Sequence, residues 1–155
     1  MNSQPAAPDI VHEAQSATQI AQCFAVMQQL RPALKSGEFV ARVSAQRAGG
    51  YRLVYLEAGG NVVCVAGFRI AHCLAWGQFL YVDDLVTDAA QRSRGYGKTM
   101  LRWLRAEALR TQCEQFHLDS GVQRIDAHRF YLREGMQRSS YHFAELLTAP
   151  PPGIK

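Results

Sequence analysis

Thr87 to Thr99 reads T-D-A-A-Q-R-S-R-G-Y-G-K-T, and the rest of the chain is read outward from it. An extended run, Phe79 to Thr87 (FLYVDDLVT), ends where this stretch begins. A short polar loop follows, two glycines appear, and an amphipathic helix opens. That order gathers several backbone N–H groups at a helix N-terminus, where the helix dipole adds positive potential. Gly95 and Gly97 let the main chain approach an anion with no Cβ in the way. Arg92, Arg94 and Lys98 add formal charge around the same point. The combination suits a pyrophosphate.

Three phosphate-binding patterns can be tested against the stretch. A GxxxxGK[ST] loop finds its end in Gly97-Lys98-Thr99, but its first glycine position holds Arg92. A GxGxxG fingerprint fits Gly95 and Gly97 and fails at Met100. The pattern R/Q-x-x-G-x-G/A is matched in full by Arg92-Ser93-Arg94-Gly95-Tyr96-Gly97.

On the C-terminal side, Gly95 to Thr111 is helical, with Met100, Leu101, Leu104 and Ala108 on one face. Gln115 to Asp119 is a short strand. Ile125 to Glu134 is a helix stopped by Gly135, and Met136 to Leu147 is extended. On the N-terminal side, Tyr51 to Glu57 and Val62 to Ile70 alternate as strands around a Gly59-Gly60-Asn61 turn, which with Phe79 to Thr87 makes an antiparallel meander. Ile20, Phe24, Met27 and Leu30 recur at helical spacing, so Ser16 to Leu30 is expected as one helix capped by Ser16 and ended by Pro32. A second helix covers Ser36 to Ala48, and Ile10 to His12 forms an edge strand. The expected order is β-α-α-β-β-β-α-β-α-β, an α+β domain with a mixed central sheet flanked by helices. A chain of 155 residues is expected to form one domain over residues 1–155, with loose tails at 1–8 and 150–155.

Composition narrows the function classes. A hydrophobic content of 48% with 19% charged residues describes an ordinary folded protein, not a disordered chain. Cys23, Cys64, Cys73 and Cys113 are far apart, which points to reduced thiols in the cytoplasm rather than a disulfide framework. No two Cys or His residues stand at ligand spacing, so no metal is expected. The first residues show no basic stretch followed by an apolar run, and Val62 to Gly67 is too short to cross a bilayer. A net charge of +4 with one compact basic cluster argues for a small polyanionic ligand and against nucleic acid or a membrane surface.

Two further segments join the glycine loop in one resemblance. Tyr81-Val82-Asp83-Asp84-Leu85-Val86 precedes it, and Ala127-His128-Arg129-Phe130-Tyr131 followed by Gly135-Met136 comes after. Together, over about Phe79 to Phe143, they resemble the GNAT N-acetyltransferase superfamily. The resemblance implies acetyl-coenzyme A as co-substrate and an amine as acceptor. It implies that backbone amides from Arg94 through Thr99 (Arg94, Gly95, Tyr96, Gly97, Lys98, Thr99), with Arg92 beside them, hold the pyrophosphate. It also implies that the main chain of Leu85 and Val86 pairs with the pantetheine arm, Leu85 polarising the thioester carbonyl. The family often has Asn three residues before the helix-motif alanine, where this chain has Arg124, so that contact is not assigned.

The mechanism needs a group to take a proton from the amine, which near pH 7 is almost all ammonium, and a group to give one to the departing thiolate. Tyr131 stands where many members place the acid; the plainer alternative is that Phe130 and Tyr131 are both core aromatics. Asp83 and Asp84 on a regular strand point to opposite faces, and at least one should reach the acceptor, either attracting a cationic amine or relaying its proton. Asp119-Ser120 reads better as a helix cap than as catalytic. Direct transfer in a ternary complex is expected, since no cysteine lies in a nucleophile motif. The acceptor is a small cationic amine or a protein N-terminus, chosen by residues around Gln29 to Gly37 and Ala71 to Gln78. Two other classes stay open, a coenzyme A-binding sensor without useful activity and a nucleic-acid-binding domain. A homodimer is compatible with the fold.

Overall fold

The alternating run from residue 52 to residue 87 folds as three long antiparallel strands. These are β2 (Arg52–Ala58), β3 (Asn61–Cys73) and β4 (Gly77–Thr87). Gly59 and Gly60, both at positive φ (58° and 79°), make the β2–β3 turn, a geometry that favours glycine at both positions. A short strand, β1 (Val11–Glu13), adds antiparallel to β2, and β5 (Gln115–Leu118) adds parallel to β4. The computed structural model describes residues 10–148, so the tails at 1–8 and 150–155 lie outside the described residues. The chain divides into two units, one ending at Leu118 and one starting at Asp119.

In the first unit the sheet order is β1-β2-β3-β4-β5, the mixed sheet that the sequence indicates. Its two faces are read off the alternation. Leu53, Tyr55, Val65 and Val86 pack with the N-terminal helices, while Val54, Leu56, Ala66, Phe68, Leu80 and Val82 pack under α4 (Tyr96–Arg110). Met100, Leu101, Leu104 and Ala108 supply the buried stripe of α4. Burying each of the Met and Leu side chains contributes roughly 1.5–3 kcal/mol.

The helix expected over Ser16 to Leu30 is two helices, α1 (Ala17–Gln22) and α2 (Phe24–Leu30). The break falls at Cys23. Its thiol donates to the Gln19 carbonyl (3.4 Å), the acceptor its own amide would have used, and that amide bonds instead to Ile20. Ser16 does cap α1, in a reciprocal box with Gln19 (3.1 Å and 3.0 Å). The next helix, α3 (Ser36–Ala48), has the expected bounds. An ion network ties the sheet to α4: buried Glu107 accepts from Arg52 and Arg110 (2.6 Å each), and Arg52 also grips Glu13 (2.8 Å). The Arg110 hydrogen bond and then Arg52 hold the Glu107 carboxyl down at about 2. No described helix is long and apolar enough to cross a membrane.

The second unit holds α5 (Ile125–Arg133), ended by Gly135 at φ 89°. Residues 136–146 form neither helix nor strand, so the last strand of the expected order is not formed among the described residues. An extended run becomes a strand only where another backbone takes its hydrogen bonds, and sequence alternation alone cannot supply that partner.

Candidate active site

The centre of the site is an irregularity in β4. Asp84 pairs with Gly67 and Val82 pairs with Phe68, which leaves Asp83 as an extra residue, a β-bulge. The regular strand expected at the acidic pair is therefore corrected. Val82 and Leu85 both pack on the α4 side, so the two residues between them both fall to the other face. Each carboxylate there is held by a different arginine. Asp83 takes two bonds from Arg69 (2.7 and 2.9 Å). Asp84 takes one from Arg31 Nε (2.9 Å) and one from the Tyr51 hydroxyl (2.8 Å). Arg31 also donates to the Asp83 carbonyl (2.9 Å).

Tyr51 is buried, and that burial together with the Asp84 charge raises its phenol well above the usual range. It is a permanent donor to Asp84. Its ring lies over Gly67, where an added Cβ would come within 1.8 Å of the hydroxyl. A bare backbone at residue 67 thus lets the tyrosine reach the carboxylate.

Asp84 and Tyr51 line a cavity of about 410 Å³ whose other walls come from α2, α3 and the segment between them, including Arg31, Phe39 and Arg42. This is the Gln29 to Gly37 region that the sequence marks as acceptor-selecting. Asp83 and Arg69 are not among the lining residues.

The pairing on the other edge of β4 stops at the same point. β5 follows β4 only from Phe79–Gln115 to Val82–Leu118. From Asp83 on, the β4 edge away from β3 has no strand beside it among the described residues. Leu85 and Val86 lie on this stretch.

The chain then leaves the sheet through a single 3₁₀ turn (Ala89–Gln91) capped by Asp88, which Gln29 on α2 braces at 3.1 Å. Ser93 and Gly95 take positive φ (65° and 87°), and Gly95 opens α4 with no side-chain cap. Thr99 N–H already closes the first helical bond, onto the Gly95 carbonyl (2.9 Å). The donors that remain for an anion are therefore those before Thr99, and its own contribution would be the hydroxyl. Arg92, Arg94 and Lys98 are exposed around this end, while the Tyr96 ring packs into the α4-side core and anchors the loop.

In the second unit, Tyr131 is half-buried on α5, with its ring 5.3 Å from that of Phe130. Arg124 occupies the N-cap position of α5, and His128 Nε2 lies 2.8 Å from the Gly121 carbonyl. Asp119 and Ser120 therefore do not cap this helix; Asp119 sits 3.3 Å from His142 instead.

The acetyltransferase (GNAT) family model matches residues 15–136, most of the chain. This chain belongs to that family. It is 33% identical over 125 residues to the uncharacterized N-acetyltransferase YhdJ of Bacillus subtilis, covering 79% of this chain and 88% of that one. It is 36% identical over 91 residues to an aminoalkylphosphonate N-acetyltransferase of Salmonella typhimurium, covering 59% of this chain and 57% of that enzyme. Among solved structures it superposes on AAC(6′)-Iy in complex with a bisubstrate analogue, with a TM-score of 0.79 at 12% identity, over 92% of this chain and all of the other. A putative acetyltransferase from Agrobacterium tumefaciens gives 0.76 at 24% identity, over 88% of this chain and 99% of that one. The solved structures show the GNAT fold, and the family match with the curated relatives supports acetyltransferase activity, acetyl-coenzyme A being the typical co-substrate of the family.

Four residues of this GNAT acetyltransferase's site were not singled out from sequence: Arg31, Tyr51, Gly67 and Arg69. Their partners lie 14 to 53 positions away. No local pattern announces such pairs. The one usable signal was Arg31-Pro32 inside the segment already marked for acceptor choice.

Proposed function

We propose that this protein moves the acetyl group of acetyl-coenzyme A onto the primary amine of a small molecule, directly, with both substrates bound together. The observation that carries the reading is the end of the β4–β5 pairing at Val82–Leu118. It leaves a length of strand edge between the glycine loop and a cavity that has a carboxylate in its wall.

The unpaired β4 edge and the amides opening α4 fit such a co-substrate, which would supply the activated acyl group as a thioester. Amides from Arg94 to Lys98, the Thr99 hydroxyl and the charges of Arg92, Arg94 and Lys98 hold the diphosphate. The main chain of Leu85 and Val86 pairs with the pantetheine arm as an added strand would, and the Leu85 amide donates to the carbonyl oxygen. Asp84 draws the ammonium into the cavity and accepts its proton, directly or through water. Asp83, held twice by Arg69 and outside the cavity, positions the bulge. Tyr131, from its place in the family's helix motif, gives a proton to the departing thiolate.

Direct transfer is supported by the cysteines. Cys23 and Cys64 are buried with thiols pushed up to about 12 and about 11, so neither is a nucleophile near neutral pH. All four cysteines are free thiols, in keeping with a cytoplasmic protein. The family match spans both units, which supports one working domain. The amine acceptor is supported by the likeness to the aminoalkylphosphonate N-acetyltransferase.

A free-thiol release assay with acetyl-coenzyme A over a panel of amines tests this. Amine-dependent release is expected. No release with any amine, while calorimetry shows coenzyme A bound, would leave a coenzyme A-binding module instead. Absence of binding at millimolar coenzyme A would end both readings.

A further inference from the structure

The transferase reading leaves the acceptor's chemistry open, and the cavity narrows it. We infer that the acceptor carries an anionic group, a carboxylate or a phosphonate, a short distance from its amine, and that Arg42 and the outer edge of Arg31 receive that group while Asp84 receives the amine. The inference rests on the transferase reading.

Three charged side chains line the cavity, two cations and one anion. Asp84 is the anion. Arg31 Nε and the Tyr51 hydroxyl each bond one of its oxygens, and each oxygen keeps lone-pair capacity for an ammonium. Tyr51 remains a neutral donor, so it adds no second negative charge. The acidic pair in the sequence suggests a site that attracts a cationic amine. In the fold that charge is already offset, Asp83 by Arg69 and Asp84 by Arg31.

The positive side is in surplus. Arg31 spends Nε and Nη2 on Asp84 and on the Asp83 carbonyl, and its Nη1 has no partner among the described residues. Its side chain is half exposed. Arg42 lies on α3 one turn before Gln46, so both are on the same helix face and both line the cavity. Arg42 makes no hydrogen bond or ion pair among the described residues.

Most of the remaining wall is apolar, from side chains such as Leu30, Phe39 and Val43. The cavity thus offers in its wall a carboxylate, an unmatched guanidinium on α3 and the free part of a second guanidinium. Guanidinium is the side-chain group best matched to a carboxylate or phosphonate, because its donors bind two oxygens at once. A simple alkylamine would leave Arg42 to water. A diamine would bring a second positive charge toward two arginines. An amine with an acidic group answers both ends, and about 410 Å³ is within the range that holds a small ligand.

The test is steady-state kinetics with acetyl-coenzyme A and four acceptors of matched length: propylamine, 1,3-diaminopropane, 3-aminopropanoate and 2-aminoethylphosphonate. The expected kcat/KM for at least one of the two acidic acceptors exceeds that of the first two by tenfold or more, and the stronger acidic acceptor tells carboxylate from phosphonate. Arg42→Gln is expected to reduce that preference about tenfold, mainly through the acceptor KM, and Arg42→Lys to recover part of it. Melting temperature confirms that both variants fold. Equal or better turnover of propylamine or the diamine overturns this inference and leaves the transferase reading standing, as does a preference that Arg42→Gln does not move. Turnover of none of the four, and of no other amine, overturns both.

Discussion

Asp83 and Asp84 are chemically identical neighbours that the fold puts to different uses. Asp84 lines the cavity and shares its oxygens between Arg31 and Tyr51, whereas Asp83 is clasped by both donors of Arg69. Asp84→Asn should lower kcat/KM at least about tenfold, the scale of a lost proton acceptor, and Asp83→Asn should cost markedly less. Equal and negligible losses in the two variants would remove both from the mechanism. Tyr131→Phe should lower kcat by about tenfold or more while calorimetric affinity for acetyl-coenzyme A stays near that of the parent. Unchanged turnover would take the acid role from Tyr131. At this scale the sequence marked motif positions and gave little guide to what their side chains touch. The acidic pair and the tyrosine stand inside motifs, but Arg31, Tyr51 and Arg69 gain their roles only when distant strands and helices meet.

Among the elements, those with local punctuation were the legible ones. The Ser16–Gln19 box and the paired glycines at 59 and 60 fix their helix start and turn by chemistry within a few residues. The break at Cys23 was not legible, because a thiol taking a helix carbonyl leaves no mark on the apolar spacing. The β4 bulge was hidden for a related reason: adjacent aspartates read as ordinary alternation until Val82 and Leu85 are seen packing on the same side. Two backbone positions test this level. Gly67→Ala would drive a methyl group into the Tyr51 hydroxyl, so it should destabilise by about 1–3 kcal/mol and weaken the hold on Asp84. An unchanged melting temperature would show that the tyrosine does not lie over that backbone. Gly95→Ala forces a side chain into a φ of 87° at the start of α4, and should cost about 1–2 kcal/mol while raising the dissociation constant for coenzyme A. Undiminished affinity would mean that the loop does not need this turn.

For the whole molecule, the mixed sheet flanked by helices was readable because strand pattern, glycine loop and helix stripe all point to one arrangement. The ion network that fastens β1 and β2 to α4 was not, since Glu13, Arg52, Glu107 and Arg110 meet only in the folded chain. That network gives the protein an acid limit. Glu107 titrates near 2 when folded and near 4.5 in an ordinary environment. A carboxyl depressed in this way contributes stability above its unfolded value, and the contribution fades as pH falls from about 4.5 toward 2. Thermal melts at pH 7, 5 and 3 should show the parent losing stability most steeply over the last interval. Glu107→Gln should be less stable by about 1–3 kcal/mol at pH 7, yet fall less between pH 5 and 3. Parallel declines in the two proteins would assign the acid sensitivity to other carboxyls.

Asp83 is surplus to the repeat of two on which the rest of β4 runs. A chain one residue shorter at that point would return every apolar side chain to the layer it occupies now, since Leu80 and Val82 before it and Leu85 after it already agree. What would vanish is the second carboxylate on the opposite face and the local bend that a bulge brings to a strand. A single additional amino acid thus turns two neighbouring carboxylates to one face without disturbing the packing on the other.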